Sequence, residues 1–304
     1  MRKFVRHDAV LIAGPTASGK SGAAIALAQE IGGTIVNADS MQVYREARVL
    51  TARPDAADEA QAPHILYGHV SVRRRYSVGG YQADAAAALN AVRESGRAPI
   101  FVGGTGMYFS ALTDGIAEIP AVSAPVRAKV AALREHLGAE GFFAALAKHD
   151  RESAARLEPS DTQRTLRALE VFEETGRPLS YWQSKKGTPV LHGLRLARFV
   201  LAPERAELYR RIDARFEKMI VSGALEEAQA LEDLDPTLPA AKILGLRELQ
   251  AVHHRELTLP EAIRLAQTAT RQYAKRQMTW FRKYMKDWTW TDGPAAIGAK
   301  LSVP

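Results

Sequence analysis

The feature that most constrains this chain is a glycine-rich segment near its N-terminus, which follows the apolar run Ala9–Ala13. The segment reads GPTASGKS and matches the pattern G-x-x-x-x-G-K-[S/T]. Its glycines let backbone N–H groups turn toward an anion, its lysine adds positive charge, and its last hydroxyl can ligate Mg²⁺ at a helix N-terminus. We therefore predict a phosphate-binding loop that ends in a metal ligand, Ser21. The loop comprises Gly14, Pro15, Thr16, Ala17, Ser18, Gly19, Lys20 and Ser21.

Up to about residue 115, strand patterns alternate with helix patterns. Strands are predicted at Val10–Ala13, Thr34–Asn37 and Pro99–Val102, and helices at Ser21–Ile31 and Tyr81–Ser95. This order predicts an α/β fold of the P-loop NTPase type, in which helices flank a parallel sheet. Ligands of such sheets bind at the carboxyl ends of the strands.

From about residue 120 the strand patterns stop, and apolar residues recur at helical spacing. We predict an all-helical insertion domain over 120–189, whose last residues, 184–189, form a linker. The core then comprises 1–119 and 190–304, with a strand resuming at 195–202 and helices after it.

Composition narrows the class of protein. The chain has 304 residues, a net charge of +7, and 29 arginines against 12 lysines. This balance favours a polyanionic partner, although a GC-rich coding bias would also replace lysine with arginine. The absence of cysteine excludes disulfides and thiol nucleophiles. Without a membrane-length apolar run or a signal peptide pattern, we expect a cytoplasmic protein, and by default a monomer.

Two polar residues follow predicted strands. Asp39 lies beside the phosphate loop, where it could act as a general base, hold Mg²⁺ or cap the next helix. Thr105, within GGTGMY, offers a hydroxyl among glycines that permit close approach of a ligand. The alternative for Thr105 is a tight turn from strand to helix.

Two further segments are open to two interpretations each. Residues 160–163 predict a capping box, which explains Gln163 without a function. Arg164 and Arg167, one helical turn apart, form either a phosphate clamp or a solvated face. Residues 270–286 carry six basic side chains and no acidic one, interleaved with aromatic rings. They predict a helix that binds RNA, or one that packs its rings into the core; both can hold at once.

Taken together, these motifs resemble those of the tRNA dimethylallyltransferases, also called tRNA isopentenyltransferases. The resemblance covers nearly the whole chain. Its carriers are GPTASGKS from Gly14, NADSMQVYR from Asn37, GGTGMY from Gly103, DTQRTLRALEV from Asp161 and TRQYAKRQMTWFRK from Thr270. It implies transfer of the dimethylallyl group from dimethylallyl diphosphate to N6 of the adenosine directly 3′ of the anticodon, with release of diphosphate.

The resemblance also implies residue roles. The phosphate loop would hold the donor with Mg²⁺, and Asp39, Thr105 and Arg215 would be catalytic, Asp39 as the base and Arg215 neutralising the diphosphate. The helical insertion would embrace the anticodon stem-loop. Expected tRNA contacts are Asp39, Ser40, Met41, Gln42, Thr105, Arg127, Gln163, Arg164, Thr165, Leu166 and Arg167, joined by Arg271, Lys275 and Arg276 of the basic segment. Leu246 and Ser160 depart from the family's usual tyrosine and asparagine.

Three other functions use the same phosphate loop. They are an ATP-binding small-molecule kinase with Asp39 on the metal, a prenyltransferase acting on a free adenine nucleotide, and a non-catalytic RNA-binding NTPase. The basic aromatic segment argues against the kinase, and the helical insertion favours tRNA over a free nucleotide.

Overall fold

The architecture comes from a computed structural model, which describes residues 7–295 and 297–298. The chain divides into two compact units, the first formed by Met1–Leu112 with Val190–Pro304 and the second by Thr113–Pro189. The second unit therefore begins seven residues before the predicted position 120. Its entry and exit segments pair with each other, through a bridge between Ala117 and Lys186 and a 3.0 Å hydrogen bond from the Gly187 N–H to the Ile116 carbonyl. This pairing carries no apolar periodicity, so the helix pattern alone could not locate it.

The first unit is built on a parallel sheet of six strands in the order β3-β2-β4-β1-β5-β6. The predicted α/β class, with a parallel sheet flanked by helices, is confirmed. The strands are β1 (Ala9–Ala13), β2 (Gly33–Asn37), β3 (His64–Ile65), β4 (Ala98–Gly103), β5 (Leu196–Leu201) and β6 (Thr289–Thr291). The two edge strands were not predicted, because two or three residues are too few to show a strand pattern.

Helices cover both faces of this sheet. Residues of β1 alternate between the two layers: Leu11 packs with Phe101 and Phe109, and Ile12 with Ile25 on the other face. The helices are α1 (Lys20–Ile31), α2 (Ala56–Gln61), α3 (Val78–Glu94), α4 (Gly106–Thr113), α9 (Arg205–Val221), α10 (Ala224–Gln229), α11 (Leu246–His253) and α12 (Leu259–Tyr284), with a 3₁₀ turn at Pro239–Lys242.

The second unit is helical, with a small core around Val130, Phe142 and Leu169. Its helices are α5 (Ala124–His149), α6 (Arg151–Ala154), α7 (Thr162–Thr175) and α8 (Leu179–Gln183). The backbone of α5 is interrupted at Gly138, whose φ of 65° and ψ of −177° are not helical. Among the residues described in either unit, no helix is long and apolar enough to cross a membrane.

Candidate active site

The phosphate loop connects the end of β1 to the start of α1 at Lys20. Two of its residues have left-handed backbones, Ala17 with φ +63° and Gly19 with φ +90°. A non-glycine residue in this region of φ is strained, and such strain concentrates at functional turns. The first glycine is required by space, because a Cβ at Gly14 would lie 2.7 Å from the Ser18 hydroxyl. That hydroxyl is buried and has no hydrogen-bond partner in the described part of the chain.

Two cations lie against this loop. The Lys20 ammonium donates a 3.2 Å hydrogen bond to the Pro15 carbonyl, and the Arg215 guanidinium donates one to the Thr16 hydroxyl. Burial lowers the pKa of Lys20 to about 8 and that of Arg215 to about 10, and the negative charge of Asp39 partly offsets both shifts. A half-buried cation gains stability from a bound anion, so both groups favour a phosphate ligand here.

Asp39 follows β2 in a rigid turn. The Asn37 side chain accepts a 2.9 Å hydrogen bond from the Asp39 N–H and donates one to its carbonyl, and Asp39 Oδ1 accepts a 3.0 Å bond from the Met41 N–H. No helix begins here, since the next one, α2, is capped by Asp55. The interpretation of Asp39 as a helix cap is therefore wrong.

Thr105 lies directly before α4 and fixes the Asp39 segment. Its hydroxyl accepts a 2.9 Å hydrogen bond from the Ser40 N–H and donates to the Ser40 hydroxyl at 3.1 Å, while its own N–H donates to the Ala38 carbonyl. The tight turn from strand to helix is thus present, and it also orients the chain around Asp39.

Sequence reasoning missed one residue at the centre of this site. Gln277 of α12 is only 5% exposed. Its Oε1 accepts a 2.9 Å hydrogen bond from the Thr16 N–H, and its Nε2 donates one of 2.9 Å to the Gly104 carbonyl. The available signal was a polar residue at helical spacing from Tyr273, Ala274 and Phe281, the side of the helix that packs inward.

A cleft that is open to solvent lies beside these groups. Its polar lining is formed by Thr16, Asp39, Thr51, Arg215, Thr270 and Tyr273. Its apolar lining is formed by Met41, Leu50, Ile212, Phe216, Met219, Ile243 and Leu244. A ligand that joins an anionic group to a short hydrocarbon would satisfy both linings.

The apolar side of the cleft is held in place by Glu227. One of its carboxylate oxygens accepts hydrogen bonds from the N–H groups of Arg48 and Val49, and the other accepts from Leu50, all at 2.8 Å. The Gln42 amide donates to the carbonyls of Thr51 and Ala52, so it folds the same loop rather than reaching outward.

The side chains near the phosphate loop provide only part of what a Mg²⁺ ion needs as ligands. No group of three or more His, Asp or Glu side chains that could hold a metal occurs among the described residues. Ser21, in the first turn of α1, is exposed. Because Mg²⁺ commonly binds one or two protein oxygens together with substrate phosphates, Ser21 fits a metal that arrives with the ligand.

The basic residues of α12 differ in their surroundings. Arg271 is half-buried and forms an ion pair with Asp213, whereas Lys275 and Arg276 are exposed. The guanidinium of Arg276 lies 5.7 Å from the Tyr273 ring centroid. Only part of the predicted basic surface therefore faces solvent, while the aromatic and amide side of the same helix is packed inward.

In the second unit, α7 is capped differently from the prediction. The N-cap is Asp161, which accepts a hydrogen bond from the Arg164 N–H at 3.2 Å. A capping box that starts at Ser160 is therefore wrong, and Gln163 is an exposed residue of the first turn.

The other predicted tRNA contacts of this unit have mixed exposure. Thr165 is buried and donates to the Asp161 carbonyl, so we do not retain it as a tRNA contact. Leu166 packs against the core of the unit. Arg164 is exposed, and Arg127 and Arg167 are half-buried.

These features describe a phosphate-loop α/β protein whose cleft is lined by a carboxylate and a guanidinium, and comparison with known proteins identifies its family. The model of the IPP transferase family matches residues 42–284. A tRNA dimethylallyltransferase of Bradyrhizobium sp. (strain ORS 278) is 50% identical over 294 residues, which cover 96% of each chain. The chain belongs to the IPP transferase family. The phosphate loop and Asp39 lie before residue 42, where the match to the family model begins. The alignment with the Bradyrhizobium relative, however, covers 96% of this chain.

Solved structures agree with this assignment. The full-length tRNA isopentenylpyrophosphate transferase of Bacillus halodurans is 30% identical, with a TM-score of 0.67, covering 97% of this chain and 95% of that one. A eukaryotic dimethylallyltransferase described as acting on tRNA gives a TM-score of 0.75 at 27% identity, covering 90% of this chain and 69% of that one.

Proposed function

We propose that the protein transfers the dimethylallyl group of dimethylallyl diphosphate to N6 of the adenosine 3′-adjacent to the anticodon of a tRNA, releasing diphosphate. The observation that carries this proposal is the cleft, which joins the Asp39 carboxylate and the Arg215 guanidinium, itself hydrogen-bonded to the phosphate loop, to an apolar lining. The names of the relatives support the same reaction.

The donor's charge matches the loop side of the cleft. The diphosphate would bind the loop's N–H groups, Lys20 and Arg215, with the hydrocarbon along Leu50, Phe216 and Met219. As the C1–O bond breaks, negative charge grows on the departing diphosphate, and cations already fixed beside it stabilise that charge most. The apolar lining excludes water that would otherwise capture the allylic carbon.

The acceptor needs a base. The lone pair of an adenine amine is delocalised into the ring, so N6 is a weak nucleophile until its proton is removed as the new N–C1 bond forms. Asp39 is the carboxylate in the cleft lining, and in our proposal it takes this proton. The balance is one N–C bond formed, one C–O bond broken, and one proton moved from N6 to Asp39.

We propose Mg²⁺ as the cofactor, held by the Ser21 hydroxyl and the donor's phosphate oxygens. When bound, it would neutralise charge on the leaving diphosphate. The protein residues would still perform the proton transfer and exclude water.

We propose tRNA as the macromolecular partner and the cytoplasm as the site of action, with a monomer as the working unit. An anticodon-loop base must leave its stack to enter a cleft, which calls for single-stranded recognition rather than groove contacts. In the first unit, Lys275 and Arg276 are available for phosphate contacts, and in the second unit Gln163, Arg164, Arg167 and Arg127 are the retained candidates.

The test is a turnover assay with three arms. Purified protein and Mg²⁺ are incubated with labelled dimethylallyl diphosphate and an anticodon stem-loop, with the same donor and AMP, or with ATP alone. We expect label in the stem-loop only, at the adenosine 3′ of the anticodon. Label in AMP would select the nucleotide prenyltransferase, and phosphate release from ATP without prenyl transfer would select the kinase or NTPase.

A further inference from the structure

The inner face of α12 packs against the turn that follows β4, and the glycines of that turn make room for it. A Cβ at Gly104 would lie 2.1 Å from Gln277 Nε2, and a Cβ at Gly106 would lie 2.3 Å from the Trp280 ring. The backbone of the turn therefore contacts helix side chains directly, without side chains of its own between them.

Gln277 connects two loops that have different tasks. Through the Thr16 N–H it holds the phosphate loop, where Arg215 binds the neighbouring hydroxyl of the same threonine. Through the Gly104 carbonyl it holds the turn that carries Thr105, which in turn fixes the segment around Asp39. Both bonds are 2.9 Å long, and the side chain is almost fully buried.

Few side chains other than glutamine could form both of these hydrogen bonds from position 277. One end must accept from an N–H and the other must donate to a carbonyl, so a flipped amide would oppose like groups at both ends. A carboxylate would satisfy Thr16 but set an oxygen against the Gly104 carbonyl. A protonated carboxylic acid would satisfy both.

We propose that Gln277 is a positioning residue, which sets the distance between the donor's phosphate loop and the base on the acceptor side. The inference rests on the proposed function, because it assigns the two loops to two substrates. Gln277 itself touches neither substrate in this proposal. A side chain that joins the phosphate loop to the turn beside Asp39 should affect the transfer rate more than the binding of either substrate. The reason is that moving two bound reacting groups apart by about 1 Å slows their reaction strongly.

The experiment compares Gln277→Glu with Gln272→Glu. Gln272 lies exposed on the same helix, so its variant adds the same charge without meeting either loop. At neutral pH we expect the single-turnover rate of Gln277→Glu at saturating substrates to fall roughly 10- to 100-fold, with KM values little changed. Gln272→Glu should match the wild-type rate at saturating substrates, and its charge one helical turn from Lys275 and Arg276 should raise only the KM for the stem-loop.

The decisive readout is the ratio of the Gln277→Glu rate to the wild-type rate as pH falls. Burial favours the neutral acid, so the ratio should recover as the new carboxyl gains a proton and donates to Gly104. A Gln277→Leu variant, which cannot donate at any pH, should show no recovery. A ratio that stays flat with pH, or a Gln277→Glu rate equal to wild type, would overturn the proposal.

Two measurements separate this proposal from folding and from the proposed reaction. Amide hydrogen exchange at Thr16 should accelerate in Gln277→Leu, which removes the acceptor of its N–H, and stay near wild type in Gln277→Glu, whose carboxylate still accepts that bond, while the core strands keep their protection in both variants. If the wild type transfers no prenyl group, the proposed function fails, and the exchange at Thr16 still decides whether Gln277 holds the loop. Unchanged Thr16 exchange in Gln277→Leu would refute the bridge itself.

Discussion

Asp39 in the first unit and Asp150 in the second are both aspartates in tight turns, yet their surroundings are opposite. Asp150 is 3% exposed and accepts four hydrogen bonds, from the N–H and hydroxyl of Ser153 and from the N–H and hydroxyl of Ser180. Burial alone would raise the pKa of Asp150, but these bonds outweigh it and lower the pKa. The carboxylate is fully used in joining α6 to α8.

Among the described residues, the Asp39 carboxylate accepts one hydrogen bond, from the Met41 N–H, and lies in the field of Lys20 and Arg215. It lines a cleft instead of a packed core. The comparison supports our proposal of Asp39 as the base, because one of its carboxylate oxygens has no hydrogen-bond donor among the described residues, whereas each oxygen of Asp150 has two.

The largest effect should come from Asp39→Asn, which keeps the shape of the side chain but cannot accept the proton. We expect transfer to fall by about 10²–10⁴-fold while both substrates still bind. Single-turnover transfer at saturating stem-loop measures this, with donor affinity determined with and without Mg²⁺. Near-normal transfer would contradict the base assignment, and loss of Mg²⁺-dependent donor binding alone would move Asp39 to the metal.

Lys20→Ala should follow, with a loss of roughly 2–4 kcal/mol of transition-state stabilisation and nearly unchanged stem-loop affinity. Burial lowers the pKa of Lys20 to about 8, so its charge is lost as pH rises through that value. Wild-type affinity for inorganic diphosphate should therefore weaken above about pH 8. Lys20→Arg, which keeps its charge, should show a flatter profile by calorimetry; an equal pH dependence in both would refute this assignment.

Asp150→Asn tests the other side of the comparison. Loss of a charged acceptor with four donors should destabilise the second unit by about 1–3 kcal/mol and leave the transfer rate unchanged when the protein is folded. Because the folded pKa is lowered, the stabilisation is present above the unfolded pKa and is lost as pH falls through the folded value. Hydrogen exchange in α5–α8 at several pH values measures it. Asp39→Asn should not reproduce this loss of protection.

The smallest effect concerns the cations of α12. Like Asp150, Arg271 is already paired within the protein, whereas Lys275 and Arg276 are exposed. Replacing Lys275 and Arg276 with glutamine should lower stem-loop affinity and flatten its salt dependence by up to roughly two phosphate contacts. Arg271→Gln should change the slope less, because Arg271 is already paired with Asp213. Affinity measured over a range of salt concentrations checks both, and equal slopes in all three proteins would show that these cations do not contact RNA.

Local patterns predicted most of the sheet and the phosphate loop, since β1, the loop and α1 are adjacent in sequence and their signals are strong. The edge strands β3 and β6 are too short to leave a pattern. The N-cap at Asp161 could not be separated from Ser160, because both residues are good caps. The roles of Gln277 and Glu227 depend on loops far away in sequence, and no local pattern predicts such partners.

The hydrogen bond between the Thr16 N–H and Gln277 spans 261 residues. During synthesis the phosphate loop leaves the ribosome long before α12 exists, so the early chain has the loop without the group that holds it. The cleft is therefore completed only after almost the whole protein has been made. A nascent or prematurely terminated chain that lacks α12 would therefore carry the phosphate-loop sequence without the side chain that holds Thr16 in place.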